Sequence, residues 1–568
     1  MPGSKIIPQV AYFSMEIALE NNIKTYSGGL GVLAGDILRS AADQKFSMVG
    51  VTLLSDEGYC EQRFNQAGEQ EESPSLGYDF SHLEKLPVTA DIIIGSDQVR
   101  VGVWRYLIRG ESSGEVPVYL LDTKFPENPE IYRGLTGRLY GGDEEYRLLQ
   151  AIVLGRGGWQ ILKALGYQID KIHINEGHAA FAALAHFLNS RAGSEAERLA
   201  DTKQTCVFTT HTPLRTARNI FPASLVLKYQ SDFPVNLPGL LDAGRVDMIR
   251  LALYFSNYAN AVSKKHQQLT SLIFPSYHIR AVTNGVHSLT WTSPEFKSLY
   301  DKFIPGWRHE NHLLRGASSM PLPEIRGAHQ AAKRSLIDLI KDKAGLDFSE
   351  DIFTIGFARR FAIYKRPGLL LQDLASLLSV QERVGKMQIV YSGKAHPADQ
   401  KGKEIISAVN QIKQKYRDKI KLAFIENYDL DLAKIIIAGV DLWLNTPLPP
   451  NEASGTSGMK AAHNGVPQLS TLDGWWLEGY VQGKTGWAIT EPVTGDSILS
   501  IGERHNNKNQ RDREDSSRLY DILEKEIIPL YYNDPEAWLE MMRSTIGINA
   551  AYFNTDRVLR EYRQQAYS

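Results

Sequence analysis

The stretch F-T-I-G-F-A-R-R (353–360), P-G-L-L-L-Q-D-L-A-S-L-L-S-V (367–380), M-Q-I-V-Y-S-G (387–393), G-K-E-I-I-S-A-V-N-Q-I-K-Q-K-Y (402–416), I-K-L-A-F-I-E-N (420–427), D-L-A-K-I-I-I-A-G (431–439), D-L-W-L-N-T-P (441–447) decides the fold. Short β-rich apolar runs alternate with segments of helical period, which predicts an α/β domain with a parallel sheet covered by helices on both faces. The same alternation runs upstream, with strands predicted over Gln9–Met15, Phe46–Leu54, Val116–Leu121, Lys171–Asn175 and Thr205–Thr210. Helical patterns lie between them over Tyr146–Leu165 and Ala179–Asn189. Two doubly wound, Rossmann-like domains are therefore expected, 1–290 and 291–545, followed by a helical tail, 546–568. Turn formers in S-L-T-W-T-S-P-E-F and R-G-A-S-S-M-P-L-P-E-I-R-G place the connection within Ser288–Gly345. Two such domains facing a central cleft bring the loops after their strands to the ligand, because open α/β sheets bind outside the carboxyl ends of their strands.

At about 150 residues per domain, 568 residues rule out one small binding module. The chain is 43% hydrophobic and 23% charged, which is ordinary globular usage. Its 63 Lys and Arg against 65 Asp and Glu give a net charge of −2, so no global field draws it to nucleic acid or acidic membranes. Two cysteines, Cys60 and Cys206, are too few for a disulfide framework and suit a reducing, cytoplasmic location. The opening M-P-G-S-K-I-I-P-Q-V-A-Y-F-S-M-E-I has no apolar h-region with a cleavage site, and no run approaches the roughly 20 apolar residues of a membrane span. The polar runs E-R-H-N-N-K-N-Q-R-D-R-E-D-S-S-R (503–518) and G-E-Q-E-E-S-P-S (68–75) read as solvated loops.

The segment N-E-A-S-G-T-S-G-M-K (451–460) follows a strand and opens a helix. Its small residues let backbone approach a ligand, and N–H groups at a helix start cradle an anion; a plain tight connection is the competing reading. Lys460 stands one turn into that helix, and a lysine that loses hydration becomes an amine nucleophile, whereas a snorkelling lysine does not. R-R-F-A-I-Y-K-R (359–366) follows another strand, so Arg360 and Lys365 are candidates to hold a dianion, or else form a solvated basic face. Y-S-G-G-L-G-V-L-A-G-D (26–36) is a glycine turn opening a helix, either an anion cradle or a tight loop, and is not a GxGxxG fingerprint. H-I-N-E-G-H (173–178) lacks the HExxH spacing and any cysteine, so it reads as a polar loop and no metal site is expected. His211, in T-T-H-T-P, also ends a strand, and is either a site residue or a hydrogen-bonded structural histidine.

Together these segments resemble the α-glucan phosphorylases, the glycogen, starch and maltodextrin phosphorylase family, in its shorter bacterial and archaeal branch. The matching stretches are AYFSMEIALE, YSGGLGVLAGD, INEGHAAFA, VFTTHTP, TNGVH, FARRFAIYKRP, FIENYDLDLA, NEASGTSGMKAAHNG and TLDGWW, running from Ala11 to Trp476. The resemblance implies a GT-B fold that carries pyridoxal 5′-phosphate. It implies cleavage of a terminal α-1,4-linked glucose by inorganic phosphate, with retention, to give α-glucose 1-phosphate. By the same matching, Lys460 is the cofactor lysine. Arg360 and Lys365 bind substrate phosphate, while Tyr428, Thr456, Ser457 and Arg359, the last standing where many relatives have lysine, line the cofactor. His211 lies beside the anomeric carbon. Asn284, Glu452, Ser454 and Gly455 contact glucose hydroxyls, and Gly29 belongs to the loop facing the phosphates.

The family's usual assembly is a homodimer. The chain reads AYFSMEI close to its start, without most of the N-terminal extension of the long animal enzymes, so phosphorylation and nucleotide control are not expected. After TTHTP it has LRTARNIFP where relatives carry VPAG, which places Arg215 near the expected acceptor side. Two alternatives compete with this reading. Sugar-nucleotide synthases of the same fold commonly carry two glutamates separated by seven residues here, but the second position is Lys460. An inactive glucan-binding protein would retain the fold without turnover.

Overall fold

The computed structural model describes residues 10–74, 78–213, 218–492 and 508–568. Arg215 and residues 503–507 of the polar run lie outside the described residues. The chain divides into two compact units. One comprises Met1–Tyr59, Pro74–Thr283 and Val558–Ser568, the other Cys60–Ser73 and Asn284–Arg557.

The first unit is built on a nine-stranded sheet. Its strands lie in the order Ile279–Ala281, Tyr258–Ala261, Cys206–Thr209, Lys171–Asn175, Val10–Ser14, Met48–Leu53, Glu115–Asp122, Asp97–Arg109 and Glu84–Ile94. The first seven are parallel, and the last two extend the sheet antiparallel. Strands such as V-A-Y-F-S and M-V-G-V-T-L are buried at every position, as parallel strands covered on both faces must be. Chain order reverses between Val10–Ser14 and Lys171–Asn175, so the loops after these two strands flank the switch point.

The second unit carries six parallel strands in the order Lys421–Ile425, Met387–Ser392, Phe353–Ala358, Leu442–Asn445, Gln468–Ser470, Gly486–Ala488. This is the doubly wound 3-2-1-4-5-6 order. Its switch point falls between Phe353–Ala358 and Leu442–Asn445, the strands that lead into R-R-F-A-I-Y-K-R and N-E-A-S-G-T-S-G-M-K.

Four details differ from the sequence reading. The first unit ends at Thr283 rather than 290, and Val558–Ser568 returns to it instead of forming part of a separate tail. Ser288–Gly345 is no linker: it folds into the second unit, with helices Pro294–Phe303 and Leu322–Ala344 and the buried Trp307. The acidic run 68–75 includes a strand, Gln70–Ser73, paired with Glu61–Phe64, because the second unit answers its polar groups. Gln70 Nε2 donates to the Ala395 carbonyl at 3.1 Å, and Glu72 meets Lys403 at 2.8 Å. Within the run 503–518 a helix starts at Lys508 and continues to Ile522, its Asp512 and Asp515 both bonded to Arg366.

Candidate functional site

In the second unit the basic cluster separates into side chains with different jobs. Arg366 sits in the left-handed region at φ 46° and is a strut. Its Nε donates to the Thr446 carbonyl at 2.9 Å, and its Nη1 reaches Asp512 at 3.0 Å and Asp515 at 2.6 Å. Thr446 Oγ1 returns a bond to the carbonyls of Lys365 and Arg366, so the loops after the two switch-point strands are stitched together. Arg359 donates to Asn445 Oδ1 and to Glu452 Oε2, each at 2.7 Å. Lys365 Nζ donates to both oxygens of Glu452, the first at 2.6 Å. Burial pushes the Glu452 carboxyl up, but Arg359 and Lys365 outweigh it and hold it below the ordinary range. Two cations thus share one carboxylate, and the cluster carries net positive charge. Arg360 is exposed and makes no side-chain hydrogen bond or ion pair among the described residues.

The loop after Leu442–Asn445 enters the helix Ser457–Ala462 through Gly455 at φ 80°. A Cβ on Gly458 would run into Gln468 Oε1, so the helix start packs where only glycine fits. Ser457 Oγ accepts from Trp443 Nε1 at 3.1 Å and from Asn445 Nδ2 at 3.3 Å; Thr456 is half-buried before it. Lys460 is buried, with Nζ 3.7 Å from the centre of the Trp291 ring. Trp291 is held from the same helix's exit: Asn464 Nδ2 donates to its carbonyl at 2.8 Å, and Asn464 Oδ1 accepts from the Ser293 N–H at 2.7 Å. Burial drives His463 down to about 4, so the ring is neutral; Nδ1 donates to the Met459 carbonyl and Nε2 accepts from Ser288 Oγ at 2.9 Å. Asn284 is buried, and its carbonyl accepts from Arg557 at 3.1 Å. The Tyr428 phenol is pushed up by burial and then by Asp429.

Sequence reading passed over Trp291, which lay in the presumed connection, and Asp473 of T-L-D-G-W-W. Asp473 accepts from the N–H of Glu452 at 2.8 Å and of Gly474 at 2.9 Å. Burial pushes its carboxyl up to about 8, against the lowering effect of the Glu452 N–H. A folded pKa above that of the unfolded chain contributes stability that is complete below the unfolded value and is lost as pH rises through the folded one. Stability should therefore fall between pH ~4 and pH ~8 by up to about 1.4 kcal/mol per pH unit from this group. Asp473→Asn should flatten that slope in urea titrations at stepped pH; an unchanged slope would remove the assignment.

In the first unit, His211 Nε2 pairs with Asn175 Oδ1 at 2.7 Å, and its N–H donates to Glu176 Oε2 at 2.8 Å. Thr212 Oγ1 donates to the same carboxylate oxygen at 2.8 Å. Glu176 itself stands at φ 72° directly after its strand, a strained position for a side chain other than glycine. The H-I-N-E-G-H run thereby positions the His211 loop. Among the described residues no group of three or more His, Cys, Asp or Glu is placed to hold a metal ion. Burial, and then His266, takes His211 down to about 3, which keeps it neutral at physiological pH. Gly29 is exposed at the start of the helix Gly29–Asp43, and a Cβ on it or on Gly28 would meet nothing within 4 Å. Local packing does not demand these two glycines, which leaves room for a ligand as their use.

The residues of the second unit fit pyridoxal phosphate. A buried amine lies against an indole face, a net-cationic cluster suits phosphate oxygens, and Ser454 Oγ and Arg359 Nε are buried without hydrogen-bond partners among the described residues. Lys460, Tyr428, Thr456, Ser457, Arg359 and Trp291 would hold it.

Two family models match the chain, one described as carbohydrate phosphorylase over residues 239–524 and one as the starch synthase catalytic domain over 10–273. The chain is 36% identical to the maltodextrin phosphorylase of Thermococcus litoralis, a match covering 98% of this chain and 70% of the relative. It is 34% identical to the glycogen phosphorylase of Aquifex aeolicus, covering 98% and 86%. It is also 32% identical to an uncharacterized protein of Methanocaldococcus jannaschii, covering 98% and 99%.

Proposed function

Because the chain belongs to the carbohydrate phosphorylase family, we propose that it is an α-1,4-glucan phosphorylase acting on glycogen or maltodextrin with inorganic phosphate. The observation that carries this reading is the Lys460 amine over Trp291, on the helix whose entry loop supplies Glu452 to the cationic pair Arg359 and Lys365. An oxygen of inorganic phosphate bonds to C1 of the terminal glucose on the face that the glycosidic oxygen leaves, and the departing oxygen takes a proton from phosphate. When bound, pyridoxal phosphate supplies an acid–base group through its 5′-phosphate.

The chain's own residues then have separable tasks. Arg360, which has no side-chain partner among the described residues, and Lys365 bind the incoming phosphate, so that two anions tolerate each other. Arg359 and the Thr456–Ser457 turn hold the cofactor phosphate. Tyr428, Trp291 and Lys460 would hold the rest of the cofactor, with the Lys460 amine as its anchor. Glu452, kept ionised, accepts from glucose hydroxyls together with Asn284, Ser454 and Gly455, while His211, kept neutral, serves as a hydrogen-bonding group at the glucosyl unit. Gly29 and its loop offer N–H groups to phosphate. A GT-B fold, a homodimer and a cytoplasmic location belong to the same proposal.

The test is release of glucose 1-phosphate from maltodextrin by the purified protein supplied with pyridoxal phosphate. Phosphate-dependent release is expected. Bound cofactor with no turnover on any glucan would make it an inactive glucan-binding protein, and glucosyl transfer from a nucleotide sugar would make it a synthase.

A further inference from the structure

The S-M-E-I motif at residues 14–17 carries the chain out of the strand Val10–Ser14, which flanks the first unit's switch point. Glu16 is almost fully buried, 3% exposed, and both its carboxylate oxygens are engaged. Oε2 accepts the N–H of Ser27 at 2.7 Å and of Gly28 at 3.1 Å, with Ser27 Oγ at 3.4 Å. Oε1 accepts the hydroxyl of Tyr140 at 2.9 Å. The segment after Glu16 continues as a bed for the same loop. The Ile17 N–H donates to the Thr25 carbonyl at 3.0 Å, and the Ala18 N–H donates to the Gly31 carbonyl at 2.8 Å. Gly31 is glycine because a Cβ there would lie 2.8 Å from Tyr26 Cβ and 2.9 Å from Glu16 Oε2.

We propose that Glu16 is a positioning residue for phosphate: its carboxylate clamps the glycine loop so that the amides opening the helix Gly29–Asp43 are preset for the anion. The inference rests on the reading of that loop as the phosphate-facing loop of a phosphorylase. The physical need is plain. Gly28 and Gly29 have no Cβ and meet no packing restraint, so a free loop would sample many conformations and lose that freedom on binding phosphate. Charge-assisted bonds from two consecutive amides to one buried carboxylate remove the freedom beforehand. Those two amides are spent on the clamp, which leaves the first turn of the helix, whose N–H groups have no intrahelical partner, to meet the ligand.

Two variants of near-equal shape test this. Glu16→Met removes both acceptors. Glu16→Gln keeps an oxygen for Ser27 and Gly28 and turns its amide to Tyr140, whose hydroxyl can accept. The Met variant should raise the KM for phosphate about tenfold, with kcat and the maltodextrin KM changed less than about threefold, and Gln should recover most of the loss. Hydrogen exchange provides a readout independent of turnover: amides of the peptide containing Ser27 and Gly28 should exchange about tenfold faster in the Met variant while the rest of the helix is unchanged. An unchanged phosphate KM in an active Met variant overturns the inference alone. So does a parallel loss of kcat, both KM values and thermal stability, which is a merely structural role. A wild type that makes no glucose 1-phosphate overturns the phosphorylase reading instead, whatever the exchange shows.

Discussion

Lys460→Ala should leave a folded protein that makes glucose 1-phosphate at least about a thousandfold more slowly than the wild type, with no recovery when pyridoxal phosphate is added. The fold should survive. Alanine is the best helix former, the helix Ser457–Ala462 already continues into Ala461 and Ala462, and the lost contact with Trp291 is worth about 1–2 kcal/mol. The catalytic loss should be far larger, because the amine that anchors the cofactor is gone while Arg359, Lys365 and Glu452 remain. Borohydride reduction followed by peptide mapping reads the cause directly. In the wild type a pyridoxyl group should be fixed on the peptide carrying Lys460, and in the variant that label should be absent. An equal label in both, or full activity in the variant, would take Lys460 out of its role.

The strands were readable because a parallel strand covered on both faces must be a continuous apolar run, and F-T-I-G-F-A and V-A-Y-F-S are buried at every residue. The antiparallel pair Glu84–Ile94 and Asp97–Arg109 was not read, although its signal is present: two β-rich runs separated by Gly95-Ser96, with Gly95 at φ 64°. The candidate site was legible as loops after strands, but charge patterning could not sort its cations. Arg366 and Arg360 lie in one octapeptide, yet one is spent on Asp512 and Asp515 and the other is exposed. That distinction depends on a helix almost 150 residues further along the chain. Asp473 and Trp291 were illegible for the same reason, since what sets each is a distant neighbour: the Glu452 backbone for one, Asn464 and Lys460 for the other. Glu176 read as part of a polar loop, and only its bonds to the N–H of His211 and the hydroxyl of Thr212 reveal what it fixes.

The largest stability loss should come from Asp441, at the opposite end of the second sheet from the chemistry. Its carboxylate accepts from Lys333 Nζ at 2.6 Å, His329 Nε2 at 2.9 Å and the Thr354 N–H at 2.7 Å, and its own N–H donates to the Thr354 carbonyl at 2.9 Å. It thereby ties the helix Leu322–Ala344 to the starts of Phe353–Ala358 and Leu442–Asn445, the two switch-point strands. Lys333 and Asp441 are 2% and 1% exposed, so removing either charge leaves the other buried and unpaired. Asp441→Asn should lower the unfolding free energy by about 3–5 kcal/mol near neutral pH. Burial pushes this carboxyl up, but Lys333 and His329 outweigh it and hold it below the ordinary range. A depressed folded pKa contributes stability that is present above the unfolded value and lost as pH falls through the folded one, so the gap between wild type and variant should close in acid, below pH ~4. Because ligands meet the carboxyl ends of such strands and Asp441 precedes one of them, kcat/KM per folded molecule should stay within about twofold. Urea unfolding at stepped pH and activity corrected for folded fraction measure both; a loss below about 1 kcal/mol at pH 7 would show that the buried cation is satisfied without this carboxylate.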